Sequence, residues 1–394
     1  MTSGHEEGFK NPVLWVAAGV ILGSHLFLWR GVSPLAGDDP SFLGARGPRE
    51  IWVFVLLLSL FGLYLARENL WAGLLLIWAG VSGGHSVLIG GQPYLFVLYD
   101  LAYLAVLVGW FIFCRRLNHR KCAYLLVGLA GLNGLWAGVQ WAGLDPVWKQ
   151  LRPSEIPWNN QATGWLDSNA NLAHFLSITG PLAMVISPWL LIPIGLPVLM
   201  ATKTLPILGM TIGMIVAKRM WFRGMICFAL AVLFIGIYDP PRFRGDGVRL
   251  TVIQDSLWLT QASPIFGLGP GSFKQVFPRY LALYPHNLGE IAVRNPETNI
   301  HNLQAKMPTH TEVYHHPSNE LVKEIFELGW PTLVLIVAGL CYVTIRAMKT
   351  KKDKWRDAYA GAGIAFAVTM FGYQPTAVPA LVVSGLCIWG IYDG

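Results

Sequence analysis

The 394-residue chain is 54% hydrophobic and only 13% charged, with a formal net charge of +7. That is about half the charge share of an ordinary soluble domain, which argues against a water-soluble fold. The positive excess sits in short connections between apolar runs and not along one face, so it is not a nucleic-acid footprint.

The chain opens with a polar segment, MTSGHEEGFK, that lacks a signal-peptide cleavage pattern, so the first apolar run reads as a retained span. Runs near bilayer length follow at Pro12–Trp29, Ile51–Ala66, Leu70–Ile89, Tyr94–Phe113, Cys122–Trp141, Leu172–Ile186, Trp189–Ala201, Leu205–Ala217, Gly224–Tyr238, Pro331–Ile345, Ala358–Gly372 and Val378–Ile391. This predicts an all-α polytopic membrane protein of about a dozen transmembrane helices, forming one membrane domain over residues 1–394. Several runs are short, and the pair flanking Lys203 also reads as a broken or re-entrant hairpin. Seventeen Trp and 42 Gly suit that class, since Trp gathers at bilayer interfaces and Gly is frequent in membrane helices.

Loop charge orients the spans. With the N-terminus inside, alternate connections carry Arg67; Arg115, Arg116, Arg120 and Lys121; Lys218, Arg219 and Arg223; and Arg346 to Arg356 with four lysines between them. Cytoplasmic loops hold the Lys/Arg excess, so both termini are expected in the cytoplasm. The opposite side then receives the largest hydrophilic segment, 239–330, between the ninth and tenth spans. Within it, Val248–Ala262 has helical spacing and Pro264-Ile-Phe-Gly-Leu-Gly-Pro-Gly271 breaks it. A second helix is predicted after Ser318 or Asn319, either of which can cap it, with Leu321, Ile325 and Leu328 on one face.

Chemistry-bearing residues gather in that segment. Five of the ten histidines lie there: His286, His301, His310, His315 and His316. Exposed loops accept histidine readily, and a metal site at His310, His315 and His316 has only Glu312 nearby and no cysteine, so no metal is expected. The five cysteines lie in or beside apolar runs, which supports neither a disulfide framework nor a zinc ribbon. Arg242, Arg244 and Arg249 follow the ninth run, and Lys203 stands at the outer end of its hairpin. Cations on that side defy the positive-inside tendency and invite an anion, which Arg binds through a planar fork and Lys as a point charge. Lipid head groups or Asp239 and Asp246 would also satisfy Arg242 and Arg244. Gly267–Gly271 is a weak phosphate-loop signal and a better tight turn. Asn169 and Asn171, opening the sixth run, are either capping groups or polar groups facing a cavity.

Three ordered segments carry a resemblance. His316-Pro-Ser-Asn-Glu-Leu-Val-Lys-Glu-Ile-Phe-Glu-Leu-Gly329, Arg249 followed by Pro264–Phe273, and Gly164–Pro181 with Ser-Asn-Ala-Asn-Leu-Ala are similar to segments of the O-antigen ligase and O-antigen polymerase superfamily. The chain departs from that pattern at Ser318, where the family usually has His directly before Asn, and at Thr202-Lys203-Thr204, where it typically shows Ser-Arg-Gly. The resemblance implies a GT-C-like, metal- and cofactor-independent inverting glycosyltransferase of the bacterial inner membrane with its active site on the periplasmic face. It moves a glycan from undecaprenyl diphosphate to an acceptor hydroxyl, with lipid A core as the expected acceptor. Polymerase and protein O-oligosaccharyltransferase activities are the alternatives within the class. Expected partners are the lipid-linked glycan, its acceptor and membrane lipid, without nucleic acid. The assigned roles are His316 as base with His315 second, Arg249 and Lys203 on the diphosphate aided by Arg242 and Arg244, and Asn319, Asn169 and Asn171 for positioning. The reading from another class, a transporter or flippase, would require paired mid-membrane charges, and the spans are nearly free of acids. A non-catalytic relative is the further alternative that Ser318 leaves open.

Overall fold

The computed structural model describes residues 12–26, 49–91, 94–144, 162, 164–166, 169–201, 204–220, 247–270, 272–273, 320–349, 353–370 and 379–393. Every regular element among them is helical, with no strand. In chain order these are α1 Pro12–Leu26, α2 Arg49–Ala66, α3 Leu70–Leu88, α4 Tyr94–Cys114, α5 His119–Trp141, α6 Asn169–Ile186, α7 Leu191–Met200, α8 Thr204–Ala217, α9 Gly247–Thr260, α10 Glu320–Leu328, α11 Trp330–Lys349, α12 Lys354–Met370 and α13 Pro379–Asp393. Each apolar run read from the sequence falls on one of these helices except Gly224–Tyr238, which lies outside the described residues.

By length and composition, α3 and α5 can cross a bilayer. The helices flanking Lys203 are shorter. At 1.5 Å per residue, α7 is roughly 15 Å long, half of a hydrocarbon core about 30 Å thick.

On several helices large apolar side chains face outward. On α3 the buried positions are Ala72, Ala79, Ser82, Gly83 and Ser86, whereas Leu70, Ile77 and Leu88 are 74%, 65% and 85% exposed. Leu57, Leu60, Phe61 and Leu63 of α2 and Leu132 and Leu135 of α5 are likewise exposed. On α3 small residues line the contact with neighbouring helices, where they let backbones approach.

The centre of the bundle is α6, buried without a break from Leu172 to Ala183 and packed against α5, α7, α8 and α12. Its two buried hydroxyls are satisfied locally, Ser177 Oγ donating to His174 O at 2.8 Å and Thr179 Oγ1 to Leu176 O at 3.0 Å. Beside it α8 crosses α12 backbone to backbone. A Cβ on Gly361 would lie 2.2 Å from Gly213 O, and one on Gly213 would lie 2.6 Å from Gly361 O. At the α2–α4 crossing, a Cβ on Gly62 would lie 2.0 Å from Ala105 O.

One end of the bundle collects basic turns. Arg116 Nη2 donates to both carboxylate oxygens of Glu68 at 2.6 and 2.7 Å, joining the α2–α3 and α4–α5 connections. Arg115 Nε lies 3.1 Å from Asp393 Oδ2, and Arg219 Nε lies 2.8 Å from the buried carboxylate of Asp357. Asp357 pushes the Arg219 guanidinium pKa up, while the bond from Arg116 holds the Glu68 carboxyl below the usual carboxylate range. Cys114, Cys122 and Cys387 are buried free thiols.

Candidate functional site

Along the C-terminal half of α3, the chain folds two distant segments onto one another. α9 packs against α10, and α10 leads into α11 through Gly329. Spacing accounts for α10: Leu321, Ile325 and Leu328 are buried on one face, as the sequence pattern predicts, with Val322 and Phe326 beside them.

The turn after α9 then caps α10 from outside its own helix. The last carbonyls of any helix lack intrahelical donors. Here Leu268 N donates to Phe326 O and Gly269 N to Glu327 O, both at 2.9 Å. Trp78 Nε1 on α3 donates to Leu328 O at 2.9 Å, and Ser82 Oγ donates to Phe266 O and, at 3.2 Å, to Glu327 O. In return, Trp330 N donates to Pro264 O at 2.9 Å. Two positive-φ glycines permit this approach: Gly267, with φ +69°, whose Cβ would lie 2.4 Å from Glu327 O, and Gly329, with φ +81°, whose Cβ would lie 2.0 Å from Ile265 O.

This geometry settles the role of the glycine run. Its Leu268 and Gly269 amides point at protein carbonyls, so they are not a phosphate cradle. The run is a clasp.

Side chains complete the joint. Phe266 stacks on Trp78 and on half-buried His85, with ring centroids 5.6 and 4.7 Å away, while Phe273 meets Phe326 edge-on at 5.0 Å. The carboxylate of Glu327, only 5% exposed, accepts the Phe273 amide at 3.3 Å. Next to the clasp, Leu74, Trp78, Ile265, Trp330, Val334 and Leu335 line an open apolar groove of about 650 Å³. A polar recess of about 530 Å³ lies at the opposite end of α3, bordered by Glu68, Asn69, Arg115 and Asp393.

Of the residues singled out from sequence, Arg249 is the third residue of α9. Lys203, Arg242, Arg244, His315, His316 and Asn319 lie outside the described residues, as do His286, His301 and His310. Asn319 immediately precedes α10 in the chain. Asn169 and Asn171 open α6, where Asn171 Nδ2 donates to Leu166 O at 3.2 Å. That bond belongs to a wider staple: Gln140 Oε1 accepts from Gly164 N at 2.7 Å, and buried Asn133 Oδ1 from Trp165 N at 3.0 Å. Asn171 therefore anchors the entry to α6.

Sequence reasoning assigned no role to Glu327, His85 or His174. Glu327 reads as one more charge on an amphipathic helix, and nothing in its neighbourhood announces Phe273, 54 positions away. His85 and His174 are lone histidines in apolar runs; His174 is buried, with Nδ1 3.3 Å from Thr369 Oγ1. Among the described residues, no group of three His, Cys, Asp or Glu is arranged to hold a metal ion.

No family model matches the chain. No curated protein and no solved structure matches it either.

Proposed function

We propose that this chain is a polytopic inner-membrane glycosyltransferase that moves a glycan from a polyprenyl-diphosphate carrier to an acceptor hydroxyl at the periplasmic face. The observation that carries the reading is the clasp. The segment with Arg249 and Pro264–Phe273 and the segment that follows His316 and Asn319 are far apart in sequence, yet α9 packs on α10 and the turn between them closes on α10's last carbonyls. The described parts of two of the three segments behind the O-antigen ligase resemblance thus pack together.

The membrane part of the reading rests on α3 and α5 and on the outward-facing Leu, Phe and Trp side chains of the bundle. The remaining apolar helices, the short α7 and α8 pair among them, are assigned to the other spans of a twelve-run topology. The basic turns joined by Arg116–Glu68 and Arg219–Asp357 face the cytoplasm, as the Lys/Arg excess requires. The clasp, which packs along the C-terminal half of α3, then lies on the periplasmic side.

In the proposed reaction, the bond from the sugar anomeric carbon to the diphosphate breaks as the acceptor oxygen attacks from the opposite face, inverting the centre. His316 takes the acceptor proton, with His315 as the nearby second imidazole. Arg249 and Lys203 stabilise the charge growing on the departing diphosphate, supported by Arg242 and Arg244. Asn319 orients the acceptor. The groove beside the clasp, apolar and lined by Trp78 and Trp330 among others, receives the first isoprene units of the carrier. Lipid A core is the acceptor we assign.

The test is glycan transfer by purified protein from an undecaprenyl-diphosphate-linked donor, with lipid A core and repeat-unit acceptors assayed separately. Transfer to lipid A core that is lost in His316→Ala and Arg249→Ala is the expected result. Activity retained in His316→Ala would remove that base, transfer only to the repeat unit would make the protein a polymerase, and no transfer to either would overturn the enzyme reading.

A further inference from the structure

We infer that Glu327 is a positioning residue that locks the Arg249 helix onto the helix following Asn319; this rests on the glycosyltransferase reading. Glu327 is 5% exposed, and burying a polar group in an apolar joint is costly unless hydrogen bonds compensate it. One oxygen accepts the Phe273 main-chain amide at 3.3 Å, beyond the point where the turn's own amides have been satisfied by α10 carbonyls. The same residue's carbonyl accepts Gly269 N at 2.9 Å and Ser82 Oγ at 3.2 Å. Glu327 therefore ties together α10, the turn that follows α9, and α3. A bond from a main-chain amide to a carboxylate is charge-assisted and directional. It fixes where the chain leaves the turn at Phe273, whose ring is seated on Phe326.

The mechanistic consequence is geometric. Groups brought to a reaction centre by separate segments lose effect when those segments move by an ångström. Glu327 touches no reacting atom in this scheme; it sets the distance between α9, which carries Arg249, and α10, which begins one residue after Asn319.

The experiment compares wild type, Glu327→Ala and Glu327→Gln in lipid nanodiscs. Two readouts are taken: amide exchange of the peptide containing Phe273, and single-turnover glycan transfer at saturating donor. Gln keeps an acceptor oxygen at the same reach, so it separates the hydrogen bond from the charge. In Glu327→Ala we expect the Phe273 amide to exchange about 10- to 100-fold faster and transfer to slow about 10- to 100-fold. Glu327→Gln should restore both to within about threefold of wild type, since its amide oxygen still accepts. Unchanged Phe273 exchange in Glu327→Ala overturns the lock, and faster exchange with undiminished transfer overturns its positioning role. If wild type itself transfers no glycan, the glycosyltransferase reading fails and with it the catalytic part of this proposal, while the exchange result still decides the structural lock. Should Glu327→Ala fail to fold, Glu327→Asp, which withdraws the carboxylate by one methylene, replaces it with the same expected and overturning results.

Discussion

Where α8 crosses α12, Gly213 and Gly361 bring two backbones together with no polar side chain between them. Where the turn after α9 meets α10, two backbones approach just as closely, but amides, a hydroxyl, an indole and a carboxylate all take part. The difference follows from what each segment leaves unsatisfied. Helices bond their own amides internally and need only shape to associate. A turn and a helix end expose unpaired donors and acceptors, which here complete each other. Glycine serves both joints for different reasons: close approach at the crossing, and positive φ as well at the clasp.

The largest effect that would break this comparison is expected at the crossing. Gly361→Leu places a side chain into the Gly213 carbonyl and should cost about 3 kcal/mol or more, read as loss of monodisperse protein and a lower midpoint of thermal unfolding in detergent. An unchanged midpoint would mean that the helices do not cross there. Next comes Gly329→Ala, where both φ and the Ile265 carbonyl oppose a methyl group. We expect a loss of about 2 kcal/mol, seen locally as faster exchange in residues 264–273. Ser82→Ala removes one donor shared by Phe266 O and Glu327 O and should cost about 1 kcal/mol, measurable as a smaller drop in the same assay.

The smallest effect is electrostatic and sits at the opposite end of α3. Arg116 lowers the Glu68 pKa in the folded chain. A depressed carboxyl pKa contributes stability above its unfolded value, and that contribution is lost as pH falls through the folded value. Wild type and Arg116→Ala should therefore differ slightly at neutral pH and converge in acid, which a pH series of unfolding midpoints would register. Because the pair is exposed, a large separation would contradict the assignment.

Much of the fold was legible because an apolar helix announces itself by composition alone. Run boundaries read from apolarity meet the ends of α2, α3 and α4 to within two residues. The face of α10 was legible for the same reason, since Leu321, Ile325 and Leu328 recur at helical spacing. The glycine run was legible as a turn, and its amides became interpretable only once Phe326 and Glu327 were seen to receive them.

What the sequence determined by itself is what depends on a residue and its near neighbours: helices, their apolar runs, and turns at glycine and proline. The tertiary structure alone decided which small residues meet across helices, that Asn171 anchors its own entry strand of chain to α6, and that Glu327 reaches Phe273. Those contacts join positions far apart along the chain, and short-range periodicity carries no record of partners that only chain closure brings together.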